Sequence, residues 1–213
     1  MKTTLISLLC IPSMLLPCVH AQQGDAARWQ FTEDLKAKAE KGDPEAQSNL
    51  GACYGHGAGV TKDYAEAVKW YRKAAEQDYG PAQNNLGSCY LNGNGVAKDV
   101  AEALILYRKA AEQHCAPAQA NLAHCYDEGI GVTKDEWEAV RWLRKAAEGN
   151  YAESQLCLGT SYHEGQGVSK DLAEALRWWR KAAESGYPEG QFKLGEVFSK
   201  GLRKRSILAC ASA

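Results

Sequence analysis

The feature that most constrains this chain is a pattern of residues that returns about every 36 positions. One glutamine marks each unit: Gln47, Gln83, Gln119, Gln155 and Gln191. A leucine and an aromatic residue keep the same step, starting with Leu50 and Tyr54 and ending with Leu194 and Phe198. A period of this length is typical of solenoids built from helix pairs. We therefore predict an all-α fold, an α/α superhelical solenoid of helix-turn-helix repeats.

The period divides the chain into about four full repeats between partial caps. Terminal units of a solenoid cover an interface that would otherwise be exposed, and they usually depart from the consensus. The predicted segments are a signal peptide at 1–21, an N-terminal capping helix at 22–43, full repeats at 44–79, 80–115, 116–151 and 152–187, a partial fifth repeat at 188–201 and a tail at 202–213.

The first helix of each repeat is predicted to begin near a residue such as Pro44, because the first turn does not need the N–H that proline lacks. A glycine follows the leucine of most units, although a glycine inside a helix costs about 1 kcal/mol. Its return predicts that a neighbouring helix passes close by. These glycines are Gly51, Gly87, Gly159 and Gly195, with Ala123 in the third repeat.

The loop between the two helices and the second helix follow the same 36-residue period. A Gly-x-Gly-Val segment, first at 57–60, predicts a left-handed helix end followed by a valine packed on the core. The next segment, Lys-Asp-x-x-Glu, predicts that Asp63 caps the second helix and that Glu66 completes a capping box. The aromatic residues of the second helix, such as Trp70 and Tyr71, fall on the helical stripe and are interpreted as core.

The fifth unit has no predicted second helix. Its pattern ends after Gly201, which leaves its apolar face poorly covered. That end of the array is therefore frayed, truncated from a longer array, or paired with another protein, and it is where we expect any oligomerisation.

Residues 1–21 have the features of a secretory signal peptide. The stretch from 5 to 19 is mainly apolar, and cleavage is predicted between Ala21 and Gln22. The apolar run is shorter than the roughly 20 residues that a membrane-spanning helix needs. We predict an exported protein, periplasmic or secreted, without a membrane span. A lipid anchor at Cys18 is the alternative.

The overall charge argues against a nucleic-acid partner. The chain has 25 Lys and Arg residues against 26 Asp and Glu residues, which gives a formal net charge of -1. Domains that bind nucleic acid usually gather lysine and arginine on one face and are strongly basic. We therefore predict no nucleic-acid ligand.

The cysteines are interpreted as packing residues. An even number of them in an exported chain favours a disulfide framework. However, Cys53, Cys89 and Cys125 share one repeat position on successive helices. Helix axes lie about 8 to 10 Å apart, whereas a disulfide needs Cα atoms within about 7 Å. We therefore expect small, buried thiols at this position.

The units resemble the Sel1-like repeats, which are relatives of the tetratricopeptide repeats. The resemblance rests on AQ-x2-LG-x2-Y from Ala46 to Tyr54, G-x-GV-x-KD from Gly57 to Asp63 and A-x2-WYRKAA from Ala67 to Ala75. It implies a right-handed superhelix of antiparallel helix pairs, with a concave groove that is lined by first helices and holds other proteins. Many bacterial relatives are exported. A cysteine-rich branch staples each repeat with two cysteines, at a spacing that this chain lacks.

No catalytic constellation is evident in the sequence. The Ser-x-x-Lys and Lys-Thr-Gly motifs of penicillin-recognising enzymes are absent. The Gly-x-Gly loops end a helix, where a nucleotide-binding loop would begin one. The histidines and cysteines show no Cys-x2-Cys spacing. We predict no catalytic residue, no metal site and no cofactor.

The partner-binding residues are predicted on the first helices, opposite the apolar stripe. A ladder of asparagines offers both donors and acceptors to an extended peptide, and alanine at these asparagines is expected to weaken binding with little loss of stability. The alternative is that the asparagine has a structural role in the repeat and forms hydrogen bonds within the protein. The predicted groove residues are Asn49, Asn85, Asn121, Ser88, His124, Thr160 and His163.

These observations favour a non-enzymatic adaptor, a scaffold whose concave groove holds a protein or peptide. The alternatives are a hydrolase or thiol-dependent enzyme like the cysteine-rich relatives, and a structural spacer in an envelope assembly.

Overall fold

The computed structural model describes the backbone of residues 30–211 and the side chains of residues 30–199. The predicted signal peptide with its cleavage site, the alternative lipid anchor at Cys18, residues 22–29 of the predicted cap and the side chains of the tail lie outside the described residues.

Within residues 30–211 the backbone forms ten α-helices and no strand. The helices are α1 Glu33–Glu40, α2 Pro44–His56, α3 Tyr64–Ala75, α4 Gly80–Asn92, α5 Val100–Glu112, α6 Ala116–Glu128, α7 Glu136–Glu148, α8 Ala152–Glu164, α9 Leu172–Glu184 and α10 Pro188–Ala211.

The helices stack in sequence order. Each full repeat is a pair that packs side by side: α2 with α3, α4 with α5, α6 with α7 and α8 with α9. Each second helix also packs against the first helix of the next unit. The first helices α4 and α6 also touch each other, so we place the first helices on the inner side of the array. The predicted all-α solenoid is confirmed.

Within residues 30–43, the described part of the predicted N-terminal cap, the backbone forms the helix α1. Thr32 caps α1 by accepting a hydrogen bond from the amide of Leu35. Ala39 is buried with Leu50 and Trp70, and Phe31 packs against this cluster. The single helix α1 therefore covers the apolar face that the first repeat would otherwise expose to water.

The first helices end as predicted. Gly57, Gly93, Gly129 and Gly165 follow them in the left-handed conformation, with φ between 70° and 76°. This conformation is costly for a residue with a Cβ atom, which explains why glycine returns at this position. The loop valines Val96, Val132 and Val168 pack against the core clusters.

The second helices start with the predicted aspartate caps, but the capping box is only half formed. The carboxylate of Asp63 accepts from the amides of Ala65 and Glu66. The amide of Asp63 itself donates to the carbonyl of Tyr54 at 2.8 Å, so it is not available to Glu66. Glu66 instead forms an ion pair with Lys69 at 2.7 Å. The predicted reciprocal bond was wrong because the first helix already satisfies that amide.

A ring packed on a glycine joins the two helices within most repeats. A Cβ atom on Gly87 would lie 2.9 Å from Cε1 and 3.0 Å from Cδ1 of Tyr107. Tyr71 lies in the same way on Gly51, and Trp179 lies on Gly159. The predicted close approach is confirmed for Gly51, Gly87 and Gly159, where the approaching group is an aromatic side chain of the second helix. It was wrong for Gly195, which no such group approaches within the described residues.

Two sets of hydrogen bonds link one repeat to the next. Arginines on the second helices donate to tyrosines of the following repeat, in the pairs Arg72 with Tyr90 (3.2 Å), Arg108 with Tyr126 (3.4 Å) and Arg144 with Tyr162 (2.8 Å). Three of the buried glutamines that mark the period donate to a carbonyl of the preceding helix, Gln47 to Ala39, Gln119 to Ala111 and Gln155 to Ala147. Gln83 donates to the carboxylate of Asp78. The marker glutamine is therefore a structural residue.

The last helix differs from its predicted extent. Helix α10 continues beyond residue 201, where the repeat pattern stops, to Ala211. The residues from 202 to 211 contain no glycine or proline, so nothing in the local sequence ends the helix. Phe192 and Phe198 on α10 are 66% and 58% exposed, which agrees with the predicted uncovered face.

Gly87→Ala is expected to destabilise the protein by about 1 to 3 kcal/mol, because the new methyl group overlaps the Tyr107 ring. Gly195→Ala is the matched control. No atom lies within 4 Å of a Cβ at that position, so the helix gains about 0.5 to 1 kcal/mol from alanine. Urea unfolding of both variants measures the difference. Equal stability of the two variants would contradict the packing described here.

Candidate functional site

Most of the predicted groove residues are buried. Asn85, Ser88, Asn121, His124 and Thr160 are between 3% and 8% exposed. Asn49 is half-buried and His163 is exposed. The side chains that remain reachable are therefore fewer than the helical spacing predicted.

The buried groove residues form internal hydrogen bonds. Asn121 donates to Oδ1 of Asn84 at 2.8 Å, so the link between these two first helices uses Asn84, where the sequence predicted Asn85. The Ser88 hydroxyl lies 3.0 Å from the hydroxyl of Tyr107, and the Thr160 hydroxyl donates to the carbonyl of Leu156. Their role in binding a partner stays a prediction.

This bonding overturns one expectation about the asparagines. Replacing Asn121 with alanine removes the donor to Oδ1 of the fully buried Asn84. A buried polar atom that loses its partner costs about 1 to 3 kcal/mol. The alanine variant of Asn49, Asn85 and Asn121 is therefore expected to lose stability, and weaker binding by it would not by itself identify a contact.

Among the buried residues of the predicted groove, His124 differs in having a ring nitrogen without a hydrogen-bond partner in the described part of the chain. It is 7% exposed, and its Nδ1 atom has no hydrogen-bond partner. Burial lowers the pKa of this histidine, although Glu128 and Asp127 act in the opposite direction. His124 is therefore a neutral imidazole at pH 7, with one nitrogen that donates and one that accepts.

His124 lines a cavity of about 70 Å³ between the third and fourth repeats. The wall residues from α6, α7, α8 and the next loop are Ala123, His124, Asp127, Glu136, Ala139, Val140, Leu143, Cys157, Thr160, Ser161 and Gln166. Glu136 and Gln166 are exposed, so the cavity opens between them, at the edge of the solenoid where the loops lie. Burial raises the pKa of Asp127, and Lys134 opposes that shift.

The cavity occurs where the ring of the other repeats is missing. The third repeat has Ala123 at the glycine position and Leu143 where the other three have Tyr71, Tyr107 and Trp179. Both replacements line the cavity. The sequence carried this signal, because the two departures from the repeat occur together in one unit.

The C-terminal ends of the first helices are reachable from solvent and lie on the same edge as the cavity mouth. The last residues of α2, α4, α6 and α8 are His56, Asn92, Glu128 and Glu164. All four are at least partly exposed. We call these four positions the loop edge. Its side chains vary from repeat to repeat, whereas the caps and marker glutamines do not.

Trp137 is an exposed residue that sequence reasoning missed. It is 64% exposed on α7, beside a surface cavity of about 270 Å³ that Arg141, Arg144 and Lys145 also line. The other full repeats have Ala65, Ala101 and Ala173 at this position, a difference that could have identified it.

The described cysteines are thiols. Cys53, Cys89, Cys125 and Cys157 are buried, and none is in a disulfide within residues 30–199. Burial raises the pKa of Cys53, that of Cys89 to about 11 and that of Cys125 to about 12. Since the thiolate is the nucleophile, these environments make the three thiols unreactive.

The described residues contain neither a cluster of metal ligands nor a helix that could span a membrane. In that part of the chain no group of three or more histidine, cysteine, aspartate or glutamate residues is placed to hold a metal ion. No helix there combines the length and the apolar character that are needed to cross a membrane.

Comparison with protein families gives one match along the array. The Sel1 repeat model matches residues 44–79, 80–115, 116–151, 152–187 and 188–208. A comparison with curated proteins gave no match.

Similar solved structures carry the same repeat. The antigen c5321, a protective antigen present in uropathogenic Escherichia coli and displaying an SLR fold, is 46% identical, with a TM-score of 0.71 over 79% of this chain and 36% of c5321. A Sel1 repeat protein from Oxalobacter formigenes is 38% identical, with a TM-score of 0.72 over 79% of this chain and 67% of that protein. Cysteine rich protein B of Helicobacter pylori is 26% identical, with a TM-score of 0.52 over 62% of this chain and 96% of that protein. This chain spans little more than a third of c5321.

Alkaline pH is expected to destabilise the protein through its buried thiols. From about pH 9 to 11 the unfolded chain loses thiol protons that Cys89 and Cys125 keep in the fold, so the free energy of unfolding falls by up to about 1.4 kcal/mol per pH unit for each thiol. Below about pH 8 these thiols contribute no slope, because they are protonated in both states. Urea unfolding across this range measures the effect. If the free energy of unfolding of a Cys89→Ala, Cys125→Ala variant fell as steeply with pH as that of the wild type, this prediction would be contradicted.

Proposed function

Because this chain belongs to the Sel1 repeat family, we propose that it is an exported, non-enzymatic adaptor that holds a protein or peptide. The binding surface is the inner face together with the loop edge. The proposal follows the common use of helical solenoids, whose stacked repeats present one extended surface to a partner.

The variable loop edge on a constant scaffold is the observation that carries this proposal. Buried glutamines and aspartate caps recur because the helices need their hydrogen bonds, and ring-on-glycine contacts join the two helices in three of the four full repeats. His56, Asn92, Glu128 and Glu164 are reachable from solvent, and together they present an imidazole, an amide and two carboxylates. Positions that packing does not determine are where a repeat protein can encode a partner.

The described thiols disfavour the enzyme alternative. A thiol-dependent enzyme needs a thiolate at neutral pH, whereas burial raises the pKa of Cys89 to about 11 and that of Cys125 to about 12. The spacer alternative has one observation in its favour, the exposed Phe192 and Phe198 on α10. It predicts contacts at that end of the array.

Export is part of the proposal and follows from residues 1–21. The similarity to c5321, a protective antigen, supports it. We expect the chain, expressed from Met1 in a bacterial host, to be recovered outside the cytoplasm with Gln22 as its first residue. Intact mass spectrometry of the periplasmic fraction and the medium tests this. A product that keeps Met1 in the cytoplasm would refute export, and a mass that includes lipid on Cys18 would favour the anchor.

The adaptor role predicts a partner that depends on the loop edge. In affinity capture from an envelope extract of its own source, we expect Asn92→Ala, Glu128→Ala, Glu164→Ala to reduce the recovery of a specific partner at least tenfold. Binding of the purified partner, measured by calorimetry, should show the same loss.

The matched control changes three exposed residues at the ends of second helices, Glu76→Ala, Lys109→Ala and Glu112→Ala. It should bind like the wild type, and both variants should unfold at similar urea concentrations. Equal binding by the loop-edge variant would remove this edge from the interface. Loss of binding in Trp137→Ala or Phe198→Ala alone would move the contact to the outer surface of α7 or to the end of the array.

A further inference from the structure

The cavity between the third and fourth repeats has the position of a missing tyrosine ring. In the second repeat, the ring of Tyr107 lies on Gly87, and its hydroxyl contacts Ser88. The equivalent residues of the third repeat are Leu143, Ala123 and His124, and all three line the cavity. The cavity therefore corresponds to the buried tyrosine site of the second repeat, with leucine in place of tyrosine.

Other wall residues support this equivalence. Tyr107 lies close enough to Cys125 of the next repeat for that thiol to influence the Tyr107 pKa. Ser161 occupies the position of Cys125 one repeat later, and it also lines the cavity. The cavity is thus lined by the repeat positions that surround the buried tyrosine in the second repeat, from its own repeat and from the next one.

The polar atom that would meet the tyrosine hydroxyl is present and unpartnered. His124 stands where Ser88 stands, it is 93% buried, and its Nδ1 atom makes no hydrogen bond. An exposed fraction of 7% leaves little of the ring in contact with bulk water. A buried polar atom without a partner is costly, so a ligand that supplies the partner gains affinity.

We propose that this cavity binds a phenol ring, namely a tyrosine side chain of the protein or peptide partner, with its hydroxyl at Nδ1 of His124. This proposal rests on the proposed function, because it names the side chain by which the partner is recognised. The hydroxyl can donate or accept, so it suits either tautomer of the neutral imidazole. The apolar wall of Ala139, Val140 and Leu143 packs against the ring.

The size of the cavity determines how the ring enters. Its volume of about 70 Å³ is roughly half of the 150 Å³ in which an engineered cavity holds benzene. The hydroxyl and the adjoining edge of the ring fill the closed part, and the rest of the ring lies in the mouth between Glu136 and Gln166. A peptide that lies along the loop edge can place a tyrosine there, because the mouth and the loop edge are on the same side of the solenoid.

The test compares p-cresol and toluene, which are the side chains of tyrosine and phenylalanine. Both are titrated into ¹⁵N-labelled protein, and the amide signals of the cavity wall, such as Ala123 and Thr160, are followed by NMR. We expect saturable binding of p-cresol with a Kd on the order of 1 mM. Toluene should bind about three- to tenfold more weakly, because it lacks the hydroxyl group.

Two variants separate the hydrogen bond from the cavity. His124→Leu should bring the affinity ratio of p-cresol to toluene close to one. The variant Ala123→Gly, His124→Ser, Leu143→Tyr copies Gly87, Ser88 and Tyr107 of the second repeat, so its own ring fills the cavity. It should bind neither compound while keeping its helical circular dichroism spectrum.

Several outcomes would overturn the proposal. The first is the absence of saturable amide shifts with p-cresol, which would mean that the cavity does not bind a phenol ring. Others are equal binding of the two compounds by the wild type, or unchanged binding by the filled variant. Should the filled variant fail to fold, the affinity ratio in His124→Leu decides alone. Binding of p-cresol together with a negative capture experiment would retain the ring site and reject the adaptor role, whereas the reverse result would reject only the ring site.

Discussion

The contact between an aromatic ring and a glycine sets the distance between the two helices of a repeat. Gly51, Gly87 and Gly159 accept rings that approach to 3.0 Å or less of where a Cβ atom would be, so alanine would force the helices apart. This close approach buries the first helices almost completely, since α4 is buried from Ala82 to Cys89. The burial in turn requires internal partners for the polar side chains of these helices.

The polar residues of the first helices follow from that requirement. Three marker glutamines donate to carbonyls of the preceding helix, Gln83 donates to the carboxylate of Asp78, and Asn121 donates to Asn84. A side chain that satisfies the scaffold in this way is not displayed to a partner. Variation that serves binding is therefore confined to the ends of the first helices and to exposed exceptions such as Trp137.

The third repeat departs from this constraint without losing the fold. Alanine in place of glycine and leucine in place of the ring are compatible with each other, because the shorter side chain leaves room for the methyl group. The exchange removes most of the ring volume and leaves His124 without the hydroxyl that Ser88 contacts in the second repeat. A scaffold made of near-identical units can thus create one distinct site by changing three neighbouring side chains.

The sequence by itself determined the fold class, the helix caps, the loop glycines and the uncovered last unit, because these depend on local chemistry that repeats every unit. It could not decide which polar side chains of a first helix face solvent. The spacing of residues in the sequence predicts which side chains share a face of a helix. Whether that face is buried depends on how closely the next helix approaches. Tertiary structure alone decided that Asn85, Asn121 and Ser88 are internal, that the amide of Asp63 bonds to Tyr54, and that His124 lines a cavity. Each of these depends on distances between helices that are separate in sequence.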